Sequence, residues 1–266
     1  MIGAILAGAT FQPPSTKDFV YDCWGPSIKI GGFSFCFNFI TFLVSLTTLI
    51  VVALFFFAFR KPNTLPGKLQ MVMELGIQFV RENIAIPMLG PDAEAFLPLL
   101  VSFFFFILIG NLFEVLPGFS FSANSRVAIP LVLAGISWVV YNTVGIRKHG
   151  FVGYLRHTCI IPAAPGWLRY SLLVLIEFVS NIVVRPITLT VRLAANFLAG
   201  HFLLAIFFLG TYFFLKDGPK TWLLAGVSFP FAVVLVAFEV FVAGLQAFIF
   251  AILSASYIGQ AKAEEH

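Results

Sequence analysis

The chain has 266 residues, of which 60% are hydrophobic and only 11% charged. A water-soluble domain has about a quarter of its residues charged, so the composition excludes one and points to lipid as the solvent. The formal net charge of +4 arises from few charges in total, and the basic residues form no patch interleaved with exposed aromatics, which excludes a nucleic-acid binder.

Residues 1–36 precede the first apolar run and read as an extracytoplasmic segment. Met1 to Thr10 is too short for a signal peptide and lacks a basic start, so the first helix is expected to insert the chain and stay. Cys23 and Cys36 flank a short Gly-rich stretch. With Cys159 they make three cysteines, without CxxC or Cys/His metal spacing. Free thiols are favoured over a disulfide, and no cofactor or metal is expected.

From residue 37 the chain reads as a single all-α membrane domain. Residues 39–59 form a charge-free run long enough to span a bilayer, which takes about 20 apolar residues. Over 64–90, Gln70, Glu74, Gln78 and Arg81 recur on one helical face with apolar residues on the remainder. That pattern predicts an amphipathic helix lying in the interface. Spans two and three are expected over 96–116 and 127–146. Residues 168–214 stay apolar for roughly 70 Å as one helix, more than twice a hydrocarbon core of about 30 Å. Residues 221–258 pose the same problem. The expectation is about five transmembrane helices plus the interfacial one, the last two forming a long, strongly tilted hairpin.

Basic residues set the orientation. Arg60, Lys61 and Lys68 follow span one; Arg147, Lys148, Arg156 and Arg169 follow span three. These loops belong in the cytoplasm. The N-terminus is then outside and the C-terminus inside.

Ionisable groups inside a membrane are costly and point to function. The long fourth helix carries Glu177, Asn181, Arg185, Thr188, Arg192 and Asn196. At helical periodicity they share one stripe about 100° wide. His201 falls about 180° from Arg192 and about 13.5 Å along the axis. On the fifth helix Glu239 and Gln246 are seven apart and nearly aligned, with Ser228 and Tyr257 close to the same direction. Ala194, Ala195, Ala199, Gly200, Ala243 and Gly244 are small enough to admit a close helix neighbour.

Several of these residues keep two readings. Arg185 can snorkel to the cytoplasmic interface. Glu177 can simply pair with Arg169 or Arg185. Glu114 can be hydrated at the outer end of span two, and Asn111 can be an ordinary interhelical hydrogen-bond donor. Arg192 has no such bland reading. It lies about two turns past Pro186, stays protonated, and needs an anion that its own face does not offer.

The stretch Arg185-Pro186-Ile187-Thr188-Leu189-Thr190-Val191-Arg192-Leu193-Ala194-Ala195-Asn196-Phe197-Leu198-Ala199-Gly200-His201 resembles the signature of subunit a of rotary F-type ATP synthases. Gly244-Leu245-Gln246-Ala247-Phe248-Ile249-Phe250 resembles a second motif of that family, and Asn111-Leu112-Phe113-Glu114-Val115-Leu116-Pro117 a third. The likeness runs from span one to the C-terminus and is closest to bacterial members.

The resemblance implies a subunit that is not catalytic by itself and passes protons through two offset half-channels. Arg192 would face the buried carboxylates of a rotating c-ring. Asn196, His201, Glu239, Gln246, Thr188, Asn181, Glu177, Asn111 and Glu114 would line the proton path. An acid and a histidine are exchanged between the two helices, His201 with Glu239, which keeps an acid/base pair. The family's glutamate sits eight residues ahead of the proline, whereas Glu177 is nine ahead of Pro186, with Asn181 in a nearby polar slot. The role of Glu177 therefore stays open. Implied partners are the c-ring, b-type subunits of the peripheral stalk, indirectly the F1 sector, and lipid. The implied location is a bacterial plasma membrane. Two other functional classes fit the sequence less well. A self-contained transporter would need a midplane carboxylate site and inverted repeats, and no repeat is visible. An intramembrane enzyme would need a motif such as HExxH or GxSxG, which is absent.

Overall fold

A computed structural model describes residues 28–30, 33–35, 38–60, 67–116, 128–159, 172–216 and 218–263. Expectations for Met1 to Thr10, Cys23, Cys36, Lys61 and Arg169 lie outside them. Within the N-terminal segment, β1 (Ile28–Ile30) and β2 (Phe33–Phe35) pair antiparallel, with Ile30 opposite Phe33. Among the described residues this ribbon adds a short β element to an otherwise helical chain, and Gly31-Gly32 between the alternating triplets Ile-Lys-Ile and Phe-Ser-Phe is a hairpin signal.

Helix α1 covers Phe39–Phe59. Asn38 starts it, its side chain accepting from the Thr41 N–H at 3.0 Å, which satisfies one of the orphan donors of the first turn. Leu49, Val52, Phe56 and Phe57 point outward, as a lipid-facing surface requires.

The amphipathic segment begins at Lys68. Helix α2 (Lys68–Val80) runs through a π turn (Arg81–Ala85) into α3 (Ile86–Leu89) and a 3₁₀ turn (Gly90–Asp92). Helix α4 (Ala93–Val115) follows without a loop. Gly90 has φ 54°, a left-handed value glycine adopts without a Cβ penalty, and it reverses the chain. Beyond it α4 runs back along α2: Arg81 bonds Glu94 at 2.5 Å, Phe79 meets the Phe104 ring at 5.8 Å, and Gly76 lies beneath Phe105.

Helix α5 (Ala128–Cys159) outruns its predicted end because a second piece follows a kink at Gly150 (φ 73°). That piece folds back, and Tyr154 donates to Asn142 Oδ1 at 3.0 Å. Helix α6 (Leu172–Val179), a π turn (Ser180–Val184) and α7 (Arg185–Lys216) make the fourth long element. Helix α8 (Trp222–Lys262) makes the fifth. Among the described residues, five helical stretches are long and apolar enough to cross a membrane, the last two of 41 residues each. At 1.5 Å per residue each of those is about 62 Å long, twice the hydrocarbon core. They pack on each other as the predicted hairpin.

Helix α8 is the hub, packing against α7, α4 and α5. Ala243, Ala247, Ala251 and Ala255 are buried at four-residue spacing, a small-residue row that admits neighbouring backbones in the absence of a hydrophobic drive. Its far end is locked: Lys262 ion-pairs with Asp92, lies over the Phe96 ring, and accepts from Lys148 Nζ through its carbonyl at 2.7 Å.

At Gly259 the close neighbour is backbone: a Cβ there would lie 2.5 Å from the Met88 carbonyl oxygen. Backbone cannot rotate away, so Gly259→Ala should destabilise by about 1–3 kcal/mol. It should lower the thermal midpoint of the detergent-solubilised protein. Gly135→Ala, where a Cβ would meet nothing, should not lower that midpoint and should raise it slightly, since alanine is the better helix former by about 1 kcal/mol.

Candidate functional site

Three polar regions follow one another along α6 and α7. The first is at the π turn. Asn181 Nδ2 donates to Glu177 Oε2 at 3.0 Å and to the Glu177 carbonyl at 2.9 Å. Beside them Arg185 Nη2 donates to Gln260 Oε1 at 2.9 Å and lies over the Tyr257 ring at 4.7 Å. Glu177 is therefore held by Asn181 and not paired with Arg185. Tyr257 also stacks edge-on against Tyr141 at 5.7 Å; through Arg185 it meets α7, as Glu239 does at Gly200 and Gln246 at Asn196, so it shares their side of α8 at a different depth. Ser228, placed in that same direction by periodicity, also meets α7, donating to the Phe207 carbonyl at 3.1 Å.

The second region is Arg192. It is exposed on the surface of the chain, with no hydrogen bond or ion pair to any described residue. Its flanks on the same face are also exposed: Thr188, Val191, Ala195 and Ala199. Thr188 turns its hydroxyl back to the Arg185 carbonyl at 2.9 Å. What remains outward is a guanidinium set among methyl groups.

The third region is a small open cleft between α4, α7 and α8. Asn111, Glu114, Asn196, Glu239 and Gln246 supply its polar lining, with Val115, Val242 and Ala243. Asn196 Nδ2 donates to Gln246 Oε1 at 2.5 Å, joining α7 to α8 one turn beyond Arg192. Glu239 and Gln246 are buried despite lying on a membrane-spanning helix. Gly200 is what lets the Glu239 carboxylate in, since a Cβ there would stand 2.5 Å from both carboxylate oxygens. One oxygen of Glu114 is buried without a hydrogen-bond partner among the described residues. The backbone of His201 is one residue beyond Gly200 on α7; its side chain lies outside the description.

The arrangement brings Asn111, Glu114, Asn196, Glu239 and Gln246 together, and sets Glu177 and Asn181 apart from them at the other end of the stripe. Arg192 stands between, about 16 Å along the axis from Asn181 and about 12 Å from Gly200. The small residues divide in the same way. Gly200 and Ala243 are internal, where helices meet, while Ala195 and Ala199 are open beside the arginine. Sequence reading missed Trp138, Tyr141, Tyr154 and Gln260, all engaged near the π turn or in α5. The signal available was the recurrence of Trp138, Tyr141 and Asn142 on one side of span three.

A family model described as the ATP synthase A chain matches residues 41–259. The chain is 39% identical to ATP synthase subunit a of Rhodococcus erythropolis, over 98% of this chain and 94% of that one. It is 38% identical to the subunit a of Streptomyces lividans, over 98% and 92%, and 32% identical to that of Pelagibacter ubique, over 89% and 92%. The chain therefore belongs to the ATP synthase subunit a family, the multi-pass, proton-translocating membrane subunit of that synthase, which is not catalytic by itself.

Proposed function

We propose that the chain carries protons through two offset half-channels to and from the carboxylates of a rotating c-ring, coupling a proton gradient to ATP synthesis. The observation that carries this reading is Arg192, an exposed and permanently charged side chain on an apolar surface, with a polar region on either side of it along one helix. A cation so placed needs an anion from outside the chain. A ring that presents one buried acid at a time answers that need.

In this scheme a proton enters from outside through the cleft of Asn111, Glu114, Asn196, Glu239 and Gln246. Two carboxylates and a histidine one residue past Gly200 can take and release it, histidine doing so near neutral pH. The ring acid is protonated there. A neutral carboxylic acid crosses lipid at far lower cost than a carboxylate, so the ring can carry it round. When the acid returns to Arg192, the fixed charge favours its ionised form. The proton leaves past Thr188, Asn181 and Glu177. The same charge repels a proton hopping between the two routes, which prevents a leak.

The orientation places the N-terminus outside a bacterial plasma membrane and the C-terminus in the cytoplasm, following the basic residues around spans one and three. The amphipathic Lys68–Val80 helix is the contact we assign to the b-type subunits of the peripheral stalk, and F1 is reached only through them and the ring.

Arg192→Ala is expected to abolish ATP-driven proton pumping in inverted membrane vesicles and to raise passive proton leak. Normal coupling in that variant would refute the scheme. Glu239→Gln should lower pumping by about tenfold or more, the scale of losing one acid–base group. Gly200→Ala, which displaces the Glu239 carboxylate without removing it, should give a smaller loss in the same assay. Unchanged pumping in both would remove Glu239 from the path.

A further inference from the structure

Carbonyls inside a straight α-helix are taken by N–H groups four residues on. A π turn adds one residue and shifts the pairing to five, so carbonyls at its edge look for other donors. Such a turn, Ser180–Val184, stands between Glu177 and Arg185, and the Arg185 N–H reaches back to the Ser180 carbonyl. Two side chains of α5 meet it. The Tyr141 hydroxyl donates to the Asn181 carbonyl at 2.8 Å, and Trp138 Nε1–H donates to the Ile182 carbonyl at 3.0 Å. Tyr141 is buried. A buried hydroxyl and an indole aimed at consecutive carbonyls of an irregular turn hold that turn in place.

The turn decides where Glu177 points. In an uninterrupted α-helix Glu177 would sit about 60° to one side of Arg192, and the position of Phe178 about 40° to the other. The extra residue turns the upstream helix by about 100°, which brings Glu177 to the 40° position beside Arg185 and carries Phe178 off the stripe. Asn181, inside the turn, then fixes the Glu177 carboxylate.

We propose that Trp138 and Tyr141 are positioning residues of the proton route on this side: they clamp the π turn that sets Glu177 and Asn181 in register with Arg192. The proposal rests on the reading of Glu177 as a member of that route. The test uses the assembled synthase in inverted vesicles, scoring proton pumping per ATP hydrolysed, with subunit content measured on the same membranes. Tyr141→Phe and Trp138→Phe should each lower pumping roughly fivefold, the scale of one hydrogen bond. Deleting Val183 closes the turn into α-helix and keeps the phase of Glu177. That chain should assemble and pump, and in it Tyr141→Phe should be nearly neutral.

Equal losses from Tyr141→Phe in both backgrounds would overturn the clamp, as would a Val183-deleted chain that no longer assembles or pumps. Glu177 supplies the independent arm. Glu177→Gln should impair pumping, and Glu177→Leu with Phe178→Glu should fail to restore it. Restoration by the shifted carboxylate would overturn the π-turn register while leaving Glu177 in the route. Unimpaired pumping in Glu177→Gln would remove Glu177 from the route and the proposal with it.

Discussion

A guanidinium on an apolar helix surface constrains everything around Arg192. It cannot discharge, and hydrocarbon does not solvate it. The chain could have met that demand with one of its own acids, and among the described residues it does not. Asp92 is taken by Lys262 and Glu94 by Arg81. Glu74 and Glu82 accept from Gln70 and Gln78. Glu177 is held by Asn181, and Glu239 lies in the pocket that Gly200 leaves open. Keeping these acids elsewhere has a physical consequence. An internal ion pair at Arg192 would neutralise the field that, in the proposed scheme, an incoming carboxylate feels, and the arginine would become structural.

The polar groups on either side differ in how they are held. At the π turn nearly every group has a partner: Glu177, Asn181, Arg185, Gln260, Tyr141 and Trp138 form hydrogen bonds or ring contacts that tie α5, α6, α7 and α8 together. In the cleft a carboxylate oxygen of Glu114 is buried without a partner among the described residues, and Glu239 is seated by shape more than by hydrogen bonds. A group that must both take and give up a proton gains from few fixed partners, since each fixed bond favours one protonation state. A tightly bonded region suits register; a loosely bonded polar cleft suits transfer.

Much of this was legible in the sequence because a lipid solvent simplifies the code. Charge-free runs mark spans, so Phe39–Phe59 has the predicted bounds and the two over-long elements form the expected hairpin. Strict helical periodicity likewise put Glu239 and Gln246 on one face, and both are buried there. Periodicity failed where the helix is not α. The π turn at Ser180–Val184 adds a residue that angular bookkeeping at 100° cannot see. Glu177 therefore looked misplaced by one position when counted along the sequence. The break at Gly90 was legible as the end of the amphipathic segment, but the fold-back of α4 onto α2 was not, because the Gly90 backbone angle sets the direction in which the chain leaves. Phase likewise put Ser228 and Tyr257 on the side that meets α7, at Phe207 and Arg185, though it could not say at what depth each would meet it.

Helix length finally connects the two polar regions to the membrane. Ile176–Lys216 spans 41 residues, about 62 Å, against a hydrocarbon core of about 30 Å. If the whole element stays within the core, its axis must lie about 60° from the membrane normal, since its length is twice the thickness it may cross. Glu177 and Gly200 are separated by about 34 Å along that axis, which at this inclination becomes about 30 Å sideways and only about 17 Å in depth. An upright helix would instead stack the two regions one above the other, and any proton path through both would be a straight pore past Arg192. Tilt turns an axial separation into a lateral one. Each region can then open to its own side of the membrane, and travel between them requires a carrier that moves in the membrane plane. In the proposed scheme, the excess length of the last two helices is thus the feature that gives a partner moving in the membrane plane its role.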